Sequence, residues 1–495
     1  MNDRSIDSSP AHWSTHDFDS LPSDLFIGGA WMPSTSGKRI DVINPSTEKT
    51  IASVADATVE EGIAAVTAAA NAARAWAATS PRHRSEILRK AFELMTARLD
   101  WFAKLISMEN GKALSDARGE AAYAAEFFQW YAEEAVRIVG DIRLAPSGAN
   151  RMLVQYQPIG ISVLVTPWNF PAAMATRKIG PALAAGCTCV LKPATETPLT
   201  AYAMAALLQE AGVPPGVVNV VTTSTAGKVV GAMLHDPRVR KLSFTGSTEV
   251  GRILLRQAAD QVINCSMELG GNAPFIVFDD ADIDAAVGGA MVAKMRNGGE
   301  ACTAANRFYV QRGAAEHFSA ALTAKMSALK IGDGCAAETQ LGPLINSESR
   351  DKVAQLVADA VAKGGRVLTG GKAPARDGYF YPPTVIVNVA DDSRLLDEEI
   401  FGPLAAIVIF DSEQEVIDKA NRTEYGLVAY VYTKDLARGL RVSEALESGM
   451  IGLNRGLVSD PAAPFGGVKQ SGLGREGGHH GLLEFMEAQY IATSW

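Results

Sequence analysis

The chain has 495 residues, 47% hydrophobic and 20% charged, with a formal net charge of −9. That length exceeds a single hydrophobic core and implies two or three domains. The acidic balance argues against a nucleic-acid-binding face, which needs clustered Lys and Arg, and no apolar run reaches the length of a membrane-spanning helix.

Residues 1–20 are polar, with Asp3, Asp7, Asp17 and Asp19, and lack the apolar region of a signal peptide. They read as a floppy extension. Residues 26–31 predict strand, turn and strand, and 49–54 a further strand. The Ala-rich segment 58–78 predicts a helix with Thr58 as N-cap and Glu61 completing a capping box. Helices follow over 81–100, around 101–109 and over 113–139. Residues 151–157 alternate with a strand period. Residues 161–165 are almost wholly apolar, as in a strand buried on both faces. That run ends in Thr166-Pro167-Trp168-Asn169-Phe170-Pro171. Ligands gather at the carboxyl ends of strands in open α/β sheets, so Trp168 and Asn169 are placed to meet one. Asn169 equally suits a turn that bonds its own backbone.

Strands at 187–191, 219–221 and 241–245 alternate with helices, the first of which spans 198–212. The last strand runs into Gly246-Ser247-Thr248-Glu249-Val250-Gly251 and a helix. A strand, a glycine turn and a helix N-terminus can cradle a phosphate, but the spacing is neither GxGxxG nor a P-loop. The strand–helix rhythm makes the stronger case for a dinucleotide-binding α/β domain. Glu268 lies between apolar residues and two glycines, where desolvation would raise its pKa toward that of a general base. A salt-bridged surface glutamate is the other reading. Asp279-Asp280-Ala281-Asp282 reads as the acidic start of a helix. Cys302 follows Gly298-Gly299 and precedes small residues and a strand at 308–310. It is either a nucleophile, if something lowers its pKa or takes its proton, or a buried structural cysteine.

A second α/β domain is expected from 308 to about 410, with 358–371 as helix, turn and glycine-rich exit. The glycine-dense segment 465–475 is ordered only if something pins it. The tail, 482–495, suits adding a strand to a partner's sheet. The five cysteines, Cys187, Cys189, Cys265, Cys302 and Cys335, are odd in number and scattered, which fits a reducing cytoplasm. Cys187-Thr188-Cys189 is too tightly spaced for a zinc pair and reads as strand or core; no metal site is expected.

TPWNFP (166–171), the LKP stretch ending in Lys192, FTGSTEVG (244–251), MELGGNAP (267–274), the Cys302 stretch and EEIFGP (398–403) occur in the order seen in the aldehyde dehydrogenase superfamily. The chain resembles that superfamily from about residue 26 onward, and within it most resembles succinate-semialdehyde dehydrogenases. The resemblance implies a Rossmann-type cofactor domain (21–140 and 159–270), an α/β catalytic domain (271–470) and a small β oligomerisation element (141–158 and 480–495). It implies a cytoplasmic homodimer or homotetramer that oxidises an aldehyde with NADP or NAD. Cys302 matches the nucleophile, Asn169 an oxyanion donor and Glu268 the base that activates water. Lys192 and Glu399 match ribose contacts; Trp168 and Ser247 match positions near the phosphates, Phe401 one beside the nicotinamide, and Gly246 belongs to the same cofactor-binding set. Arg177, Arg296 and Ser459 match positions that hold a distal carboxylate. Thr195 stands where NAD-preferring relatives often carry a glutamate, which leaves room for a 2′-phosphate, although Glu196 is next door. Ala304 replaces a second cysteine common in the subfamily, so a disulfide switch with the nucleophile is not expected. Glu300 stands where Gln is common and is expected to point away from the thiol, whose pKa it would otherwise raise.

Overall fold

Two open α/β sheets organise the chain. The computed structural model describes residues 18–494. In the first sheet five parallel strands lie in the order Asn264–Glu268, Val239–Thr245, Ile161–Val165, Cys189–Lys192 and Val218–Val220. Gly472–Leu473 adds antiparallel at one edge and Leu25–Ile27 at the other. The chain builds outward from Ile161–Val165 on one side, then returns to its other side. The strand order therefore reverses between Ile161–Val165 and Val239–Thr245, which opens a crevice at their carboxyl ends. Val163 and Val165 join one core cluster and Leu164 the opposite one. Burial on both faces is why that run carries no polar alternation.

The second sheet holds seven strands in the order Arg366–Thr369, Thr384–Val387, Leu404–Phe410, Ala305–Gln311, Ala273–Val277, Val428–Tyr432 and Met450–Leu453. All pair in parallel except the first. Residues 269–272 carry the chain directly from the end of Asn264–Glu268 into Ala273–Val277. A third, antiparallel sheet joins Asp141–Leu144, Arg151–Pro158 and Met486–Thr493.

Local signals explain much of this. Thr58 Oγ1 accepts the Glu61 N–H, and the Glu61 carboxylate accepts the Thr58 N–H, closing the capping box on helix Val59–Ala77. Asp282 caps helix Ile283–Met295 by accepting the Ala285 N–H. Cys187 and Cys189 are buried in the core.

Other expectations are corrected. The break expected between the helices at 81–100 and 101–109 falls at Arg98 rather than after residue 100, giving Pro81–Ala97 and Leu99–Asn110, and the helix expected to reach 139 ends at Glu134. Strand Arg366–Thr369 occupies part of the expected glycine-rich exit, because pairing with Thr384–Val387 overrides the neighbouring glycines. The tail strand Met486–Thr493 pairs along Arg151–Pro158 of its own chain, whose open edge matches it over all 8 residues. The extension expected to be loose through Ser20 is anchored from Phe18: Phe18–Ser20 form a 3₁₀ turn, and the Phe18 ring stacks on Trp101 at 5.1 Å. The remainder of that expectation, residues 1–17, lies outside the described residues. No helix among the described residues is long and apolar enough to cross a membrane.

The link between the two sheets runs against the thiol loop. A Cβ on Gly271 would lie 2.6 Å from the Cys302 carbonyl oxygen, a backbone contact with nowhere to give. Gly271→Ala is expected to cost about 1–3 kcal/mol of stability, read as a lower urea midpoint; an unchanged midpoint would show that the two segments separate freely.

Candidate active site

Three consecutive left-handed residues, Asn297, Gly298 and Gly299 at φ 53°, 61° and 80°, turn the chain sharply before Cys302. Glycine is required at 299, where a Cβ would meet the Gly402 carbonyl oxygen at 2.2 Å. The Ala304 N–H then bonds the Ala301 carbonyl at 2.9 Å, and the Tyr430 hydroxyl donates to the Thr303 carbonyl at 2.8 Å. Cys302 sits half-buried in this pinned loop. Burial pushes its thiol pKa up to about 12; Arg177 and Arg296 pull it down, while Glu399 and Glu268 add to the rise. The free protein thus holds a thiol at neutral pH, and nucleophilicity requires its proton to be removed.

Asn169 follows strand Ile161–Val165 and is 4% exposed. Its Nδ2 donates to the Glu300 carbonyl at 3.1 Å, and its Oδ1 has no partner. One N–H of that amide is left unused by the bond to Glu300. No hydrogen bond among the described residues takes up the Cys302 N–H. Glu268 ends strand Asn264–Glu268, 3% exposed, with Oε1 against Gly466 and Oε2 unpartnered. The expected desolvation is present. Burial raises the Glu268 pKa well above the usual carboxylate range, Glu476 adds to the rise, and Arg177, Lys178 and Arg475 oppose it. Glu300 points away from the thiol, as expected: its Oε1 accepts the Ile345 N–H at 3.1 Å, and burial lifts its pKa to about 8.

A cleft of about 670 Å³ opens at the strand reversal of the first sheet. Cys302, Asn169, Trp168, Lys192, Thr195, Gly246, Ser247, Glu399 and Phe401 all line it. Ser247 caps helix Thr248–Ala259, with its Oγ accepting the Val250 N–H at 3.3 Å, so a helix N-terminus faces the cleft. Trp168 and Phe401 meet edge-to-face at 5.4 Å between ring centroids. Glu399 Oε1 accepts the Gly271 N–H at 3.1 Å, and burial brings its pKa to about 7. Lys192 is 7% exposed, and its ammonium makes no hydrogen bond among the described residues. An almost buried cation that lines a cleft without a protein acceptor suits a ligand hydroxyl or phosphate. Thr195 Oγ1 donates to Glu196 Oε2 at 3.1 Å. The donor set therefore fits a dinucleotide.

The two arginines stand differently. Arg177 is 2% exposed, with Nη2 on the Tyr123 hydroxyl at 2.8 Å, Nη1 on Glu476 Oε2 at 3.4 Å, its guanidinium 4.1 Å from the Phe465 ring centroid, and Nε unpartnered. Arg296 lies over Phe170 at 4.9 Å and makes no hydrogen bond among the described residues. Ser459 is half-buried, and no hydrogen bond among the described residues joins it to either arginine.

Sequence reasoning passed over Lys178 and Glu476. Their ion pair, with Lys178 Nζ also on Ser243 Oγ at 2.9 Å, surrounds Glu268 with charge. Desolvation works against the Glu476 carboxylate, but Lys178 and Arg177 prevail and hold its pKa below the usual range. A lysine directly after Arg177 on an otherwise apolar helix was the available signal. Ser349 and Lys352 also line the cleft, and Lys352 Nζ donates to the Glu399 carbonyl at 2.6 Å; nothing in their surface-like helix marks them.

Residues 31–491 match the family model described as the aldehyde dehydrogenase family. The chain is 54% identical over 444 residues to a succinate-semialdehyde dehydrogenase of Paenarthrobacter nicotinovorans, covering 90% of this chain and 99% of that one. It is 49% identical over 466 residues to a glutarate-semialdehyde dehydrogenase of Pseudomonas aeruginosa, covering 94% and 96%. Among solved structures, an NADP-dependent enzyme of E. coli superposes with a TM-score of 0.95 at 49% identity, covering 97% of this chain and 99% of that one. With the fold, the thiol cleft and these matches in agreement, the chain belongs to the aldehyde dehydrogenase family.

Proposed function

We propose that this protein oxidises succinate semialdehyde to succinate, with NADP or NAD as the acceptor. The observation that carries the substrate is the pair of guanidinium groups flanking the thiol. Both bias Cys302 electrostatically, Arg177 keeps a free Nε, and Arg296 has no hydrogen bond among the described residues. A short aldehyde with a distal carboxylate supplies the missing acceptor in bidentate form. Arg177 already faces Glu476, so Arg296 carries more of the anchoring, with Ser459 as a supporting contact. Relatives named for succinate and glutarate semialdehydes support a semialdehyde acid as the class. Glutarate semialdehyde, one methylene longer, is the second reading; a methylene is worth about 1–3 kcal/mol in such discrimination, and kcat/KM for the two compounds separates them.

Cys302 attacks the aldehyde carbon to form a thiohemiacetal. The Asn169 Nδ2 and the Cys302 N–H face the charge that develops on oxygen, a kind of donor worth about 3–4 kcal/mol. A bound nicotinamide dinucleotide supplies the two-electron acceptor for the oxidation. Lys192 and Glu399 would hold its riboses, Trp168 and Ser247 would lie by its phosphates with Gly246 in the same cofactor-binding turn, and Phe401 would border the nicotinamide. Thr195 leaves space for a 2′-phosphate. Glu268, its basicity raised by burial, takes a proton from the water that cleaves the resulting thioester, and Lys178 and Glu476 set the field around it.

The first sheet with residues 21–140 and 159–270 forms the cofactor-binding unit, and 271–470 the catalytic unit. Residues 141–158 and 480–495 form the oligomerisation element of a cytoplasmic homodimer or homotetramer. Val139, Ile142, Leu144 and Tyr490 are between 57% and 70% exposed on or beside that small sheet, a concentration of apolar surface that supports a second copy as its cover. The free state of all five cysteines fits the compartment.

Cys302→Ala should lower kcat by about 10⁴-fold; turnover near the parent rate would dismiss the nucleophile. Glu268→Gln should slow steady-state turnover by about 10²–10⁴-fold while a pre-steady-state burst of reduced cofactor persists, and loss of the burst would move Glu268 to the first half-reaction. Arg296→Ala should raise KM for succinate semialdehyde at least about tenfold and leave butanal nearly unaffected; equal losses on both aldehydes would remove the carboxylate argument. With no cofactor bound, alkylation of Cys302 by iodoacetamide should climb with pH toward about 12, because only the thiolate reacts and burial delays its formation. A plateau near neutral pH would contradict that ordering of forces.

A further inference from the structure

The Asn297 side chain does not line the cleft, yet it ties together the carbonyls of Asn169 and of Glu300 in the thiol loop. Its Nδ2 donates to the Asn169 carbonyl at 2.9 Å and to the Glu300 carbonyl at 2.8 Å. The Asn169 Nδ2 donates to that same Glu300 carbonyl at 3.1 Å. The three bonds close a ring through Asn297, Asn169 and Glu300, two residues before the thiol. Both N–H groups of Asn297 are consumed, and its Oδ1 has no partner. The amide orientation is therefore dictated, since a flipped amide would set Oδ1 against two carbonyl oxygens. The residue is 2% exposed, holds a left-handed backbone at φ 53°, and its own N–H is taken by Asp116 Oδ2 at 2.9 Å. Asparagine tolerates that backbone better than most residues.

The other side of Asn169 is equally braced. Lys112 Nζ donates to the Asn169 carbonyl at 2.7 Å and pairs with Glu120 Oε2 at 2.5 Å, while Glu120 Oε1 accepts the Ala172 N–H at 2.8 Å. The Asn169 peptide is thus anchored to the start of helix Pro171–Ala185 by Lys112 and Glu120. Among the described residues, only the Asn297 amide and the Asn169 amide itself connect it by hydrogen bonds to the thiol loop.

We propose that Asn297 is a positioning residue of the oxyanion site: its amide ties the Asn169 main-chain carbonyl to the Glu300 carbonyl of the thiol loop and so fixes the peptide that carries the donor relative to the carbon under attack. This rests on the reading of Asn169 as an oxyanion donor. Without Asn297 the Glu300 carbonyl keeps only the Asn169 Nδ2 as donor, and the Asn169 main-chain carbonyl loses its bond to the thiol loop, so the donor and the loop can shift against each other. A misplacement of about 1 Å is enough to cost about 10²-fold in rate.

The test uses acylation of the full chain by p-nitrophenyl acetate without cofactor, a reaction that passes through a tetrahedral oxyanion on Cys302. Alkylation of the same thiol by iodoacetamide, which forms no oxyanion, is the control. Asn297→Gly removes the amide and accommodates the left-handed backbone; Asn297→Ala removes the amide and also strains that backbone. Both should slow acylation by about 10- to 100-fold and leave alkylation within about twofold. Added to Asn169→Ala, Asn297→Gly should cost no more than about twofold further, the mark of two residues acting through one donor. Undiminished acylation in Asn297→Gly, equal losses in acylation and alkylation, or a full additional loss on top of Asn169→Ala would each overturn the proposal. Undiminished acylation in Asn169→Ala itself would instead overturn the oxyanion reading of Asn169, and the role of Asn297 with it.

Discussion

Exclusion of water from charged groups is the constraint on which this site depends. Cys302, Glu268, Glu399 and Glu300 all have their pKa values raised chiefly by burial. In water the same groups would be an ordinary thiol and ordinary carboxylates. Arg177, Lys178 and Arg296 partly repay the desolvation, and the balance between the two sets the protonation states. Glu476 shows the balance tipping the other way, since two cations at its carboxylate outweigh an equal degree of burial.

The fold makes that burial compatible with access. The cleft lies where the strand order of the first sheet reverses, so its floor is made of strand ends whose polar groups face outward. Glu268 ends the edge-side parallel strand, and within four residues the chain has entered the second sheet. The thiol loop is the lead-in to Ala305–Gln311, the neighbour of Ala273–Val277 in that sheet. Two segments far apart in sequence are thereby brought into backbone contact at Gly271 and Cys302. Cys302 and Glu268 need no flexible connector, because each is the terminus of a rigid strand or its adjoining turn.

Much of this was legible in the sequence where local physics decides. The apolar run at 161–165, the Thr58 capping box and the acidic cap at Asp282 are set by burial pattern and hydrogen-bonding chemistry within a few residues, and they appear as read. Nine of the cleft-lining residues, Cys302 and Asn169 among them, were legible through ordered motifs, whereas Ser349 and Lys352 were not. What escaped were long-range partnerships. Lys178 resembles any helix lysine until Glu476, some 300 residues on, is folded against it. Asn297 looks like a turn residue until the Asn169 carbonyl arrives. The strand Arg366–Thr369 sits among glycines and exists because a neighbour offers a ladder. The glycine-dense segment before the tail was readable as needing something to pin it, but the ion pair at Glu476 and the Arg475 guanidinium on the Gly467 and Gly474 carbonyls belong to tertiary structure.

The short strand Gly472–Leu473 pairs back onto Asn264–Glu268, and Glu476 and Met486–Thr493 follow it after every strand of both large sheets. A chain emerging from the ribosome would already have made its thiol loop, its cleft and most of its core. It would still lack the edge partner of the strand that ends in Glu268 and the anion that neutralises Lys178. Chemical competence is in this sense the last thing the polypeptide acquires during its synthesis, withheld until a glycine-rich segment is threaded home.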